Sequence, residues 1–127
     1  MKLNPDCMRE ILLAIENCKY GEMLNFSQIV SQLPDYSKED ISYSCEKPYE
    51  AGFIDAVSKN YMRGDCPIIK VKNITYDGHQ FLDNIREEDN WQKTKDIAKS
   101  VGSVSIPTLM QIATNVISSV VQSKFGL

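Results

Sequence analysis

The sequence predicts a mainly α-helical protein with a small β-hairpin. Three helical segments come first, two short strand-like runs follow at residues 54–58 and 68–74, and a fourth helix comes next. A short break at residues 34–36 separates the second helix from the third, and a long uncharged helix ends the chain. Three helices followed by a two-stranded hairpin form the winged helix-turn-helix arrangement. We therefore predict a winged-helix domain at residues 1–88 and a C-terminal helical extension at residues 89–127, which packs or oligomerises.

The first helix is predicted from its cap and from the spacing of its apolar residues. Asn4 caps the free amides, and Pro5 fits the first helical position because its missing N–H would have no helical partner there. The helix is expected to end before Gly21. One buried stripe is expected at helical spacing, formed by Met8, Ile11, Leu12, Ile15 and Cys18.

The second and third helices are predicted from the residues that start and stop them. The second helix runs from about Ser27 to Leu33, and Pro34 prevents its continuation. Ser37 starts the third helix, and Asp40 completes a pattern like that of a capping box. The inward face of the third helix is predicted to consist of Ile41, Ser44, Cys45 and Pro48.

The hairpin is expected after a turn at Gly52, a residue that adopts the left-handed conformation without steric cost. Residues 60–67 form its loop, and a fourth helix begins near Thr75. The second strand is predicted to alternate, with Ile69, Val71 and Asn73 on one face and Lys70 and Lys72 on the other.

Several segments are fairly specific when taken together: Met1–Cys7, Tyr49–Ile54, Ile74–Leu82, Trp91, Thr94–Lys95 and Val101–Ser105. In these segments, which span nearly the whole chain, the sequence resembles a bacterial and prophage winged-helix family known as a domain of unknown function. The resemblance implies a winged-helix fold and a bacterial or phage setting, and it implies no catalytic residues. The chain departs from the usual winged-helix pattern at Pro48, where the third helix normally holds an aliphatic residue. A proline there can kink a helix that would have to lie straight in a DNA groove.

A nucleic-acid role would depend on a local basic patch, because the formal net charge of the 127 residues is −3. Recognition helices usually read guanine with Arg or Lys and adenine with Asn or Gln. The outward face of the third helix offers Lys47, with Lys38 near its start, and three glutamates that repel phosphates. The candidate DNA-binding residues are Lys38, Ser42, Tyr43, Lys47, Lys59, Arg63, Lys70 and Lys72. Specific groove reading, nonspecific contact led by the hairpin, and protein contact all stay open.

The C-terminal helix is amphipathic and uncharged. No charged residue lies between Lys99 and Lys124, and Ser105 can cap the helix. Eight of its apolar residues fall in one arc of roughly 140° on a helical wheel, and only Ile112 lies off that arc. The stripe can pack within the chain, pair with a second copy, or touch a membrane surface, and the last alternative is disfavoured. The candidate oligomerisation residues are Trp91, Ile106, Leu109, Met110, Ala113, Val116, Ile117, Val120 and Val121.

The sequence contains no recognisable active site. It has no phosphate-binding loop or nucleophile elbow, and we expect no enzyme activity, no cofactor, no metal site and no small-molecule substrate. His79, the only histidine, is expected to be a buried or capping residue. The four cysteines are expected to be reduced thiols in a cytoplasmic protein, although Cys66 near Arg63 leaves a redox-sensing role open.

These observations favour a phage- or prophage-type winged-helix regulator that binds double-stranded DNA as a homodimer. The alternative is a winged-helix adaptor that binds another protein and no DNA.

Overall fold

The computed structural model describes residues 1–59 and 66–126. These residues are mainly helical and form six helices and a three-stranded antiparallel sheet. The chain divides into two compact units, Met1–His79 and Gln80–Leu127, whereas the sequence suggested a boundary after residue 88. The elements are α1 (Pro5–Glu16), β1 (Leu24–Asn25), α2 (Phe26–Gln32), α3 (Lys38–Glu50), β2 (Ile54–Ser58), β3 (Ile68–Ile74), α4 (Tyr76–Ile85), α5 (Glu88–Val101) and α6 (Ile106–Phe125).

Helix α1 begins as its sequence predicts and ends earlier. The Asn4 side chain accepts a hydrogen bond from the Cys7 amide at 3.2 Å, which confirms the predicted cap. The helix ends at Glu16, so Cys18 follows it in a turn and is only half-buried. The prediction that Cys18 continues the helical stripe is therefore wrong. The buried stripe consists of Cys7, Met8, Ile11, Leu12 and Ile15.

Side-chain caps start the next two helices. Asn25 and Gln28 form a reciprocal capping box at the start of α2, with hydrogen bonds of 2.8 and 2.9 Å. Ser37 caps α3 by accepting a hydrogen bond from the Asp40 amide at 3.1 Å. The predicted inward face of α3 is confirmed, since its buried residues are Ile41, Ser44, Cys45 and Pro48.

The sheet has the order β1-β3-β2, and the two-residue strand β1 was not predicted. Strand β3 pairs with β2 in a register that skips Lys72 and Ile69. Each skipped residue changes which face the following side chain points to. As a result, Ile68, Val71 and Ile74 are buried although they are spaced by three. The predicted alternation is wrong for Asn73, which is exposed, and for Ile69, which is only half-buried.

The Thr75–Gly78 segment connects the end of α3 to the start of α4. The Thr75 hydroxyl donates to the Gly52 carbonyl oxygen at 2.5 Å and accepts from the Gly78 amide at 3.1 Å. The Thr75 amide donates to the Phe53 carbonyl oxygen at 3.0 Å. A Cβ atom at Gly78 would overlap that same oxygen and would lie 2.7 Å from Ile74 Cγ2. Glycine occupies position 78, three residues after Thr75, because the backbone at Gly78 approaches that of Phe53 closely.

The second unit contains an antiparallel pair of helices, α5 and α6, which pack against each other. Gly102 ends α5 in the left-handed conformation, with φ of 84°, and Ser105 caps α6 by accepting from the Thr108 amide. The Ser105 cap agrees with the sequence prediction. No helix within residues 1–59 and 66–126 is long and apolar enough to cross a membrane.

We predict that Gly78→Ala destabilises the protein. The added methyl group meets backbone atoms of Phe53, which cannot move aside as a flexible side chain can. Overpacking of this kind costs about 1–3 kcal/mol and outweighs the gain of up to about 1 kcal/mol that alanine brings to a helix. Thermal unfolding followed by circular dichroism measures the loss. Gln80→Ala, at an exposed position of the same helix, is the control and should unfold like the wild type.

Candidate functional site

The outward face of α3 is held by interactions among its own side chains. The Ser42 hydroxyl donates to Glu46 Oε2 at 3.4 Å, and both residues are half-buried. Lys47 Nζ lies 2.9 Å from Glu50 Oε2 and 5.0 Å from the centroid of the Tyr43 ring. The hydrogen bond that Lys47 donates to the Glu50 carboxylate raises the pKa of Lys47. Lys47, the one lysine centred on this face, therefore already faces a carboxylate and an aromatic ring.

The charge balance of α3 is unfavourable for contact with phosphates. The helix carries Lys38 and Lys47 against Glu39, Asp40, Glu46 and Glu50, so two positive and four negative charges give −2. An exposed ion pair such as Lys47–Glu50 is worth less than about 1 kcal/mol and would not by itself hold the lysine away from a ligand. The surplus of carboxylates along the helix is the stronger obstacle, because a duplex brings closely spaced negative charges.

Three predicted DNA-binding residues meet in one cavity. Lys38, Ser42 and Tyr43 line a cavity of about 360 Å³ together with residues from other parts of the first unit. Sequence reasoning missed those others because they come from the chain start, from α2 and from the base of the hairpin, and no local pattern links them to α3. They are Met1, Phe26 and Cys66, and the cavity is completed by Glu39 and Glu46.

The remaining predicted DNA-binding residues lie elsewhere. Lys59 and Lys70 are exposed. The Lys59 amide donates a hydrogen bond to the Pro67 carbonyl oxygen at the base of the hairpin. Lys72 lines a different cavity of about 480 Å³, which also contains Glu16 and Glu22. Arg63 lies outside the described residues. Lys38 and Lys72 therefore line two different cavities, and Lys59 and Lys70 lie at the hairpin.

His79 lies near the carboxylate of Glu16, at the start of α4. The imidazole is exposed, so the first of the two expected roles, a buried residue, is wrong, and the second, a capping residue, stays a prediction. Its Nδ1 atom lies 3.9 Å from Glu16 Oε2, which is the outer limit of an ion pair. Among residues 1–59 and 66–126, no group of three or more potential ligands could hold a metal ion.

The buried face of α6 does not coincide with the apolar arc that the sequence predicts. The buried residues are Leu109, Ile112, Ala113 and Val116, so the buried arc is rotated by roughly 60° from the centre of the predicted arc. Ile112, which lies off the predicted arc, is thus part of the core. Of the predicted oligomerisation residues, Trp91, Leu109, Ala113 and Val116 are buried, Ile106, Met110, Ile117 and Val120 are half-buried, and Val121 is exposed.

A groove of about 870 Å³ runs between α5 and α6. Ile97 and Val120 contribute apolar surface to it, and Ile97 is 44% exposed although it is a large aliphatic residue. The residues that line the groove are Lys93, Asp96, Ile97, Ile112, Asn115, Val116, Ser119, Val120, Ser123 and Lys124.

Residues 2–105 match the family described as "Hypothetical protein (DUF2513)". The chain belongs to this family. The matched region of the DUF2513 chain covers all elements from α1 to α5 and stops at the residue that caps α6.

The DUF2513 chain is also similar to a protein of Haemophilus influenzae that is described as an uncharacterized protein. The two are 30% identical over 123 residues, which cover 93% of this chain and 97% of that protein. The remaining 7% of the chain is about nine residues, fewer than half of the 20 residues of α6, so the similarity includes most of that helix. No solved structure matches the chain.

The thiols of the DUF2513 chain lie in surroundings that suppress their reactivity. Burial raises the pKa of Cys7 to about 11 and also raises the pKa values of Cys45 and Cys66. A raised pKa leaves less of the nucleophilic thiolate at neutral pH. These surroundings argue against the redox-sensing role considered for Cys66.

We predict that iodoacetamide at pH 8 modifies Cys7 and Cys45 at least 100-fold more slowly in the native protein than in urea. With a pKa of about 11, only on the order of 0.1% of Cys7 is thiolate at that pH, and burial blocks access further. Peptide mass spectrometry at timed intervals measures each rate. Fast modification of native Cys66 would revive the redox-sensing hypothesis.

Proposed function

We propose that this protein is a non-enzymatic winged-helix protein that acts by binding another protein through the exposed face of α3. The order α1, β1, α2, α3, β2, β3 supports the winged-helix assignment, since it contains the three helices and the hairpin of that arrangement. The pairing of β1 and β2 with opposite edges of β3 is consistent with the same fold.

The charge on α3 is the observation that carries the proposal. In a DNA-reading winged helix this element would enter the major groove, where it meets phosphates on both sides. Here its exposed surface has a net negative charge, and Lys47 is surrounded by Glu46, Glu50 and the Tyr43 ring. Such a surface would be repelled by DNA and attracted by a positively charged partner.

The aromatic residues on this helix support contact with a protein. Tyr43 is half-buried and Tyr49 is 36% exposed, with its hydroxyl 3.4 Å from that of Ser58. Tyrosine is enriched at protein interfaces because it combines a large apolar ring with one polar group and few rotatable bonds. Tyrosines beside carboxylates favour a partner surface that presents arginine or lysine.

A second candidate is a bacterial or phage regulator that binds double-stranded DNA in the cytoplasm. It is favoured by the exposure of Lys38, Lys59 and Lys70, which can reach phosphates even if α3 does not read bases. On this hypothesis, affinity would come from the hairpin and would be largely independent of DNA sequence.

We expect no measurable affinity of the wild-type protein for a random duplex at low salt, that is, a Kd weaker than about 10⁻⁴ M. Glu39→Lys with Glu50→Lys should raise the affinity at least tenfold, because it removes the repulsion and adds two phosphate contacts. Fluorescence anisotropy of a labelled duplex measures both. Glu22→Lys with Asp35→Lys makes the same change in net charge at exposed residues outside α3 and serves as the matched control.

Tight wild-type binding would contradict the proposal if it weakens with salt and is lost in Lys59→Ala with Lys70→Ala. That result would favour the second candidate.

A photo-crosslinking phenylalanine analogue in place of Tyr49 should capture a protein in the native host. We expect a cross-linked adduct that protease degrades and nuclease leaves intact. The yield of this adduct should fall at least fivefold in the variant Glu46→Lys with Glu50→Lys, which reverses the charge beside Tyr49. The Glu22→Lys, Asp35→Lys variant should give the adduct undiminished. A nuclease-sensitive adduct, or one indifferent to the α3 charges, would refute protein docking on this face.

A further inference from the structure

We propose that a second copy of the chain packs into the groove between α5 and α6, so that two helical hairpins form a four-helix bundle. This inference concerns the second unit and is independent of the function proposed for α3. It uses only part of the predicted stripe of α6: Val116 and Val120 line the groove, whereas Leu109 and Ala113 are fully buried and unavailable to a partner.

The groove has the character of a helix-binding surface. Ile97 on one wall and Val120 on the other are aliphatic and accessible, and Ile112 and Val116 lie at its base with exposures of 8% and 6%. A groove between two antiparallel helices accepts another helix at the distance of ordinary helix packing, about 8–10 Å. Two helical hairpins that pack with these grooves facing each other form a four-helix bundle.

The occupant is identified by the absence of charge on α6. From Ile106 to Ser123 the helix carries no ionisable side chain, so this part of it brings no charge of its own into the groove beside Ile97 and Val120. Because α6 is itself one wall of the groove, α6 of the second copy fills the first groove while α6 of the first copy fills the second. A two-fold axis therefore satisfies both grooves at once.

The charges at the groove also suit a two-fold partner. A two-fold interface is self-complementary, so charges of both signs within it can pair across the axis, and this groove has Lys93 and Lys124 beside Asp96. Asp96 lies five residues before the end of α5 and Ile112 lies six residues after the start of α6, so these two are at a similar level in the hairpin. If the two α6 helices cross antiparallel near Ser119, Lys124 of the second copy reaches this level and faces Asp96.

The available area is sufficient for a specific dimer. Helix α6 has 20 residues and spans about 30 Å. A face of this length and two helices wide offers on the order of 600 Å² per protomer, or about 1,200 Å² in total, which reaches the lower limit of stable interfaces. We therefore expect a dimer with a Kd of order 1 μM rather than a permanent one.

The mass of the full chain in solution tests the assembly. Light scattering at about 100 μM should give twice the 14.4 kDa of one chain, and Ile97→Glu with Val120→Glu should return the mass to that of a monomer. Circular dichroism checks that this variant stays folded. Phe125→Glu and Ser118→Glu, at exposed positions of α6 that do not line the groove, should leave the dimer intact. A wild-type monomer at this concentration, or a dimer lost only in Phe125→Glu, would overturn the proposal.

Mixing two single variants tests the two-fold pairing. Asp96→Lys and Lys124→Asp should each weaken the dimer at least tenfold, because each homodimer repeats a like-charge contact twice. An equimolar mixture of the two should dimerise like the wild type, since the heterodimer restores two opposite-charge contacts. If Asp96 and Lys124 interacted only within one chain, mixing would restore nothing. Failure of the mixture to dimerise would therefore exclude this pairing, whatever the behaviour of α3 toward DNA or protein.

Discussion

The backbone contact between Gly78 and Phe53 is the constraint on which the first unit depends. At this point the turn after α3, the start of β2, the end of β3 and the start of α4 come together. The Phe53 carbonyl oxygen accepts the Thr75 amide and leaves no room for a side chain at Gly78. The Thr75 hydroxyl adds a second connection to Gly52. This junction fixes where the hairpin leaves α3, and so determines which side of α3 is covered and which faces outward.

The outward side of α3 then decides between possible functions. Its inward side, which includes the polar Ser44 beside Ile41 and Cys45, is buried in the core and says nothing about a ligand. Its outward side combines two tyrosines with an excess of carboxylates, and the cavity beside it is completed by Met1, Phe26 and Cys66. The fold allows DNA contact, whereas the charge of this particular helix opposes it. Protein binding by α3 is therefore proposed from side-chain chemistry rather than from the order of helices and strands.

Features governed by neighbouring residues could be predicted from the sequence. The caps at Asn4 and Ser37, the inward face of α3, the bounds of β2 and β3 and the stop at Gly102 all follow from patterns within a few residues. The remaining features depend on partners distant in sequence. Strand β1 has only two residues and exists through its pairing with β3. The skipped residues in β3 reflect its fit to β2 and the core, and no local pattern marks them.

The orientation of α6 likewise depends on residues distant in sequence, and it accounts for the groove between α5 and α6. A helical wheel identifies apolar residues but cannot tell which part of a wide arc a neighbouring helix will cover. With Ile112 included, the apolar arc of α6 extends over roughly 180°, whereas a helix on the surface of a globular protein typically buries a stripe of just over 100°. The buried part is centred near Val116 and includes Ile112, so the flank with Ile117 and Val121 is less covered. On the other flank lies the groove between α5 and α6, where Ile97 is exposed. Ile97 and the half-buried Val120 are therefore the apolar surface that the proposed second helical pair would cover.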